Sequence, residues 1–267
     1  MSRTTQIQSE FAETIEDTVQ RFGDHEDMSG GRIVRWLEQF DDADLPLAVQ
    51  IIRAIHYFNG INIRTMTRQL FHISVEELNR RGLSRAAFVA VGSLGAGSGT
   101  VARVLRDAIR GTTHRMLSML DVARLQRGAV DAIIFIDDFS GTGETLEKWW
   151  ETVEPIVRPT NAEVFVGLLV VNGRAYERIQ AFAEVLAVEE LTANANMLAP
   201  ESSRFSEEEK PRVFEYCQRT GCGEKYEAGW GQCGLLIAFK HGCPNNSLPI
   251  LWFNDGNWRS LFNRRAI

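Results

Sequence analysis

The stretch Ala132-Ile133-Ile134-Phe135-Ile136-Asp137-Asp138-Phe139-Ser140-Gly141-Thr142-Gly143-Glu144-Thr145 decides the fold. Five apolar residues rich in isoleucine read as a buried strand, because a strand covered on both faces loses the polar alternation of an exposed one. Two adjacent carboxylates, Asp137 and Asp138, end it. A short loop of Ser, Gly and Thr follows, and Leu146-Glu147-Lys148-Trp149-Trp150 opens a helix. Backbone N–H groups converge at a strand–turn–helix junction of this kind, and the helix dipole favours negative charge there. Thr142 and Thr145 add hydroxyl donors. The two carboxylates cannot also bind a phosphate; they suit sugar hydroxyls, or a metal ion reached through water. The plain alternative is an ordinary strand-to-helix turn with acids at its edge.

Outward from this point the chain alternates. Ala86–Val91 reads as a strand, Gly92–Gly99 as a loop and Thr100–Arg110 as a helix with Val101, Val104, Leu105 and Ile109 inward. A helical stretch is expected around 115–127. After the helix that ends near Pro155 come a strand at 164–171, a helix at 174–184 and a strand at 185–190. Strands alternating with helices predict a parallel sheet covered by helices on its faces.

The first 83 residues read as mostly helical. Ile7, Phe11, Ile15 and Val19 are spaced by four in a helix over 5–22, and a second helix covers 32–40. Asp44 reads as a cap, with Pro46 in the first turn, of a helix to about Phe58. Ile63, Met66 and Leu70 predict a further helix, and Ser74 with Glu77 a capping box for a short one stopped by Gly82. Near the C-terminus a helix is expected over 206–219 and strands over 235–239 and 248–253. The end, from Trp252 to Arg265, is aromatic and basic. It reads either as a tail packing its aromatics on the core or as a docking patch, in which Trp36, Trp252 and Trp258 with Arg259, Arg264 and Arg265 would anchor a partner or a second copy.

A second glycine loop, Ser93-Leu94-Gly95-Ala96-Gly97-Ser98-Gly99, lies one strand–helix unit before the acidic pair. It is no Walker loop, since no Gly-Lys-[Ser/Thr] follows, and it lacks the third glycine of a dinucleotide fingerprint at the right offset. It is similar to the first motif of S-adenosylmethionine-dependent methyltransferases, but Ser93 stands where that family usually has an acid. A methyltransferase also needs no phosphate cradle. Two anion loops at the carboxyl ends of neighbouring parallel strands would instead form one cleft.

The apolar strand, Asp137, Asp138, and then Thr142, Gly143 and Thr145 resemble the signature of the type I phosphoribosyltransferases. That resemblance implies a parallel-sheet α/β core with an N-terminal helical extension (1–83) and an α/β domain with a C-terminal hood (84–267). It implies that Asp137 and Asp138, the catalytic pair, orient the ribose of phosphoribosyl pyrophosphate or a nucleotide. Ser140, Gly141, Thr142, Gly143, Glu144 and Thr145 would hold the 5′-phosphate. Ser93, Gly95, Gly97 and Ser98 would cradle the pyrophosphate, with Mg²⁺ sharing its charge. Gly141 is a departure, since many members carry Ser or Thr there. With Trp36-Leu37-Glu38-Gln39-Phe40, Gly229-Trp230-Gly231 and Pro244–Trp252 added, the chain is similar to phosphoribosyltransferase-like proteins of bacterial conflict systems, some encoded beside retron reverse transcriptases. This implies an anti-phage effector, with a reverse transcriptase–nucleic acid complex or a homo-oligomer as partner. A non-catalytic nucleotide-sensing or scaffold module on the same fold is the contrasting class.

Composition agrees with an enzyme-sized chain. Its 267 residues are 44% hydrophobic, enough for a sizeable core. A net charge of −6 excludes general nucleic-acid coating by the whole chain. No apolar span reaches membrane length and the N-terminus has no signal-peptide core, so the cytoplasm is the expected location. The four cysteines, Cys217, Cys222, Cys233 and Cys243, are separated by four, ten and nine intervening residues, without a Cys-x-x-Cys knuckle. Buried thiols are expected rather than zinc ligands.

Overall fold

A computed structural model describes residues 1–92, 97–256 and 258–264. The chain forms two compact units: one of Ile61–Thr192, the other of Met1–Gly60 together with the chain from Ala193 onward. This division differs from a boundary at 83/84.

The N-terminal part of the second unit comprises α1 (Arg3–Glu10), α2 (Ala12–Phe22), α3 (Gly30–Leu37), α4 (Leu45–Ala54) and β1 (His56–Phe58). The helix expected over 5–22 is broken at Phe11, whose ψ of 24° lies outside the helical range. Asp44 does not cap α4 with its side chain. Its buried carboxylate accepts the Tyr216 hydroxyl at 2.7 Å and a bond from Arg212. Burial alone would raise this carboxyl, but those two hydrogen bonds outweigh it and hold it below its usual range. The Tyr216 hydroxyl is pushed up to about 12 by burial and by Asp44.

The α/β unit runs α5 (Gly60–Arg80), β2 (Ala86–Ala90), α6 (Gly97–Ala108), β3 (Arg115–Leu117), α7 (Met119–Val122), β4 (Ala132–Ser140), α8 (Glu144–Val157), β5 (Glu163–Asn172), α9 (Gly173–Ile179) and β6 (Glu184–Leu191). Its five strands are all parallel, in the order β3-β2-β4-β5-β6. Central β4 is covered on both faces, as its apolar run requires. On one face Ile133 and Phe135 pack with Leu146 and Val153 of α8 and Ile179 of α9.

Two expected helices prove to be one, α5. Ser74 is no cap: its buried hydroxyl donates to the Leu70 carbonyl at 2.7 Å, so the polar group is satisfied inside the helix. Glu77 pairs with Arg80 and Arg81 instead of closing a capping box. α5 packs on the sheet at Gly167, where a Cβ would stand 3.4 Å from both Leu70 and Ile134. That close approach is why the helix belongs to the α/β unit. The stretch around 115–127 is not simply helical: Arg115–Leu117 pairs with β2 as an edge strand, and Ser118 and Asp121 then form the capping box of one-turn α7. Three residues are too few to show a strand period.

The C-terminal part of the second unit contributes α10 (Glu209–Arg219), β7 (Ile237–Phe239) and α11 (Pro249–Trp252). β7 pairs in parallel with β1. The strand expected over 248–253 is a helical turn, with Pro249 at its start, where a missing N–H costs nothing. Trp36 and Trp258 both donate their indole N–H to the Ile250 carbonyl, at 2.7 and 3.0 Å, and Trp252 donates to Ser247 at 2.8 Å. All three are at most 2% exposed. They therefore close the core of this unit, which corrects the reading of them as docking anchors. Arg265 lies outside the described residues. Burial pushes up the thiols of Cys217 and Cys243. Among the described residues no helix is long and apolar enough to cross a membrane.

His25 sets an expected pH dependence. It is 4% exposed, with Nδ1 at 3.0 Å from the Lys240 carbonyl and Nε2 accepting the Asn263 N–H at 3.1 Å. Both bonds are made by the neutral ring with its proton on Nδ1. Burial, chiefly, lowers its pKa below 6.5; Arg32 adds to this, while Asp24 and the Lys240 and Phe239 carbonyls oppose it. The unfolded chain then binds the proton more tightly, so the contribution is whole above about pH 6.5 and is lost as pH falls through the lower, folded value. Melting of the wild type is expected to drop more between pH 7.5 and 5 than that of His25→Gln; parallel drops would contradict this.

Candidate functional site

The chain leaves β2 in one direction to reach β3, then crosses β2 to enter the sheet on its other side as β4. The carboxyl ends of β2 and β4 thus flank a topological switch point, where open parallel sheets leave a crevice. α6 begins just beyond β2 and α8 just beyond β4, so two helix N-termini meet this edge.

The ladder does not stop at the acidic pair. Asp137 pairs with Leu168, and Phe139 and Ser140 continue opposite Val170 and Val171. Inside a strand, neighbouring side chains point to opposite faces. Asp137 lies on the face of Ile133 and Phe135, towards α8 and α9; Asp138 lies on the face of Ile134, towards α5. Asp138 is 0% exposed and Asp137 is half-buried, its Oδ1 accepting the Asp138 N–H at 2.9 Å. The two carboxylates diverge, and Asp137 is the one open to solvent.

Ser140–Gly143 form the turn. Gly143 has φ 77°, left-handed backbone that glycine adopts without strain. A Cβ there would also meet Arg178 at 3.1 Å and the Ala175 carbonyl at 3.3 Å. Helical bonding in α8 starts with the Glu147 N–H on the Gly143 carbonyl at 2.9 Å, so the N–H groups of 144–146 precede it. The Glu144 N–H lies 3.5 Å from Thr142 Oγ1. Ser140, Gly141 and Thr142 are buried and Thr145 is exposed.

The second loop is described only in part. Ser93 and Gly95 lie outside the described residues. Gly97 and Ser98 are buried at the start of α6, and the Ser98 hydroxyl donates to the Val91 carbonyl at 2.6 Å. Ser98 thus ties helix to strand with its side chain, leaving its backbone for any ligand.

The sequence reading missed Arg174 and Arg178. Arg178 reaches across from α9 to Glu144 at 3.5 Å and Glu147 at 3.6 Å. These residues, with Thr142 and Glu177, line a polar depression of about 410 Å³ beside the turn. Three carboxylates against two guanidiniums make it a poor anion site in itself. The available signal was local: an Asn-Gly-Arg step directly after a buried strand marks a helix start at the same sheet edge. Among the described residues no group of three His, Cys, Asp or Glu side chains is placed to hold a metal ion.

One family model matches residues 33–264, which include this sheet edge and turn. The chain belongs to the PRTase-CE family. Its fold is a phosphoribosyltransferase-like α/β core around an all-parallel five-stranded sheet. Among solved structures, HGPRT-ase from Leishmania tarentolae in complex with GMP is 11% identical, covering 49% of this chain and 78% of that one with a TM-score of 0.32. The hypoxanthine phosphoribosyltransferase of Trypanosoma cruzi, in complex with the product IMP, is 15% identical over 52% of this chain and 76% of its own, with a TM-score of 0.32. The xanthine-guanine-hypoxanthine phosphoribosyltransferase of Helicobacter pylori is 11% identical over 51% of this chain and 83% of its own, again at 0.32. No curated protein matches.

Proposed function

We propose that this PRTase-CE chain binds a phosphoribosyl group, as phosphoribosyl pyrophosphate or a nucleotide, at the carboxyl edge of β2 and β4, and acts on the bond at ribose C1. The observation that carries the reading is the turn into α8 at the switch point. There the N–H groups of 144–146 and the Thr142 and Thr145 hydroxyls supply donors for a 5′-phosphate. Asp137, half-buried beside the turn, accepts from the ribose hydroxyls. The backbone at Gly97 and Ser98, with Ser93 and Gly95, holds the pyrophosphate. Loss of pyrophosphate would leave positive charge on the ribose, so positioning and charge supply most of the catalysis.

Mg²⁺ fits this site as a substrate-borne ion. It is commonly held by one or two carboxylates plus substrate phosphates rather than by a protein cage, and the described residues include no such cage. When bound it would share the charge of the leaving pyrophosphate. The family likeness supports a role as an effector in bacterial anti-phage defence, with a reverse transcriptase–nucleic acid complex or a second copy as partner. Burial of the three tryptophans removes one sequence argument for where a partner docks.

A second reading, nucleotide binding without turnover, is favoured by the divergence of the two carboxylates. A thermal-shift screen decides: phosphoribosyl pyrophosphate with Mg²⁺, or a nucleoside 5′-monophosphate, is expected to raise the melting temperature, since a ligand of the native state must stabilise it. Pyrophosphate release distinguishes turnover from sensing. Stabilisation by S-adenosylmethionine alone would replace both readings.

A further inference from the structure

The unit built from both chain ends contains a polar cleft of about 420 Å³, lined by Asp27, Arg32, Arg35, Asn254, Arg259, Ser260 and Asn263. Three guanidiniums face one carboxylate, so the lining carries a positive excess. Among the described residues none of the three arginines makes an ion pair.

The arginine at the base of the cleft is fixed in place. Arg32 Nη2 donates to Asn263 Oδ1 at 2.8 Å and to Ser260 Oγ at 3.5 Å. Asn263 is itself held by its N–H on His25 and by its carbonyl accepting the Cys243 N–H at 3.0 Å. Both acceptors on Arg32 are neutral, so they orient the guanidinium without discharging it. Burial, chiefly, lowers the pKa of Arg32; Asp27 opposes this and Arg35 adds to it. A guanidinium has five N–H donors, and both bonds here are made by Nη2, so those of Nε and Nη1 are not spent on Ser260 or Asn263. Ser260, 6% exposed, accepts from Arg32 and keeps its own proton to donate, as Asn263 keeps its amide hydrogens. At the rim, Gln39 grips the backbone of Arg259 on both sides, at 2.6 and 2.9 Å, while the side chain stays exposed.

A half-buried guanidinium held by neutral partners, flanked by two more arginines and by neutral donors against a single carboxylate, matches an oxyanion with several acceptor oxygens. We propose that this cleft is a binding site for a phosphate ester, distinct from the phosphoribosyl site because all its residues lie in the other unit. Its volume suits one nucleotide. The same phosphate chemistry is offered by a free nucleotide and by a nucleic-acid strand, and the probes below separate them.

The test is calorimetric titration of the full chain with AMP and with a short single-stranded oligothymidylate, for wild type and for Arg35→Gln/Arg259→Gln, each with and without Gly143→Ala, which removes AMP binding at the start of α8. Both altered side chains are exposed, so melting is expected to be unchanged. Loss of two charge-assisted contacts is expected to weaken the bound probe by at least roughly tenfold. If AMP shows the loss, the ligand is a free nucleotide; if the oligonucleotide does, with steep salt dependence, it is a strand. Asp27→Asn is expected to tighten the same probe. Neither probe binding the wild type, or equal binding by the double variant, would overturn the proposal. Phosphoribosyl pyrophosphate with Mg²⁺ is titrated alongside; its shift reports on the α/β site and is expected to survive the double variant.

Discussion

Asp137→Asn is expected to weaken phosphoribosyl pyrophosphate binding by roughly ten- to a hundredfold, the loss that follows from removing a charged hydrogen-bond acceptor. The fold should not suffer, because Asp137 is half-open to solvent, and its bond from the Asp138 N–H at 2.9 Å is to an oxygen that asparagine retains. Asp138→Asn is expected to behave in the opposite way. That carboxylate is 0% exposed on the α5 face of the sheet, so its replacement should move the melting temperature more than the ligand affinity. Thermal shifts with and without ligand, read beside pyrophosphate release, separate the two. Equal losses of affinity in both variants, at unchanged melting, would mean that the carboxylates act as a pair and that the divergence of their side chains does not matter.

The elements legible in the sequence were those with a strong period or a strong junction. β4 announces itself by an unbroken apolar run, and the turn into α8 by small residues, because burial on both faces and backbone freedom each demand a narrow set of side chains. What stayed hidden depended on tertiary partners. Nothing local shows that Ser74 turns inward to Leu70 rather than capping a helix, or that Asp44 spends its carboxylate on Tyr216 and Arg212. Nor does anything local show that the Ser98 hydroxyl donates to the Val91 carbonyl, which leaves only its backbone to face a pyrophosphate. The C-terminal hood was read as an appendage of the α/β domain. It shares its core with the N-terminal helices through contacts more than 200 residues apart, such as Trp36 to Ile250. Side-chain direction was the subtler miss. Two adjacent acids read as a pair in a string of letters, yet a ladder that runs on through Ser140 sends them to opposite faces.

Gly143→Ala is expected to abolish ligand stabilisation and to lower the melting temperature. The residue sits at φ 77°, where a Cβ costs about 1–2 kcal/mol. The added methyl also meets Arg178 at 3.1 Å and the Ala175 carbonyl at 3.3 Å. The arginine can swing away, but the carbonyl belongs to α9 backbone, so the turn must give instead. At about 2–4 °C per kcal/mol for a domain of roughly this size, the strain corresponds to a drop of about 2–8 °C. The functional loss should be larger, since the turn aims the N–H groups of 144–146 and a displacement of about 1 Å costs roughly a hundredfold. Gly143→Asn tells strain from contact. Asparagine tolerates left-handed backbone better than alanine but carries the same Cβ. It is expected to recover part of the melting temperature and none of the affinity. Wild-type affinity in either variant would show that the phosphate is held elsewhere than at the start of α8.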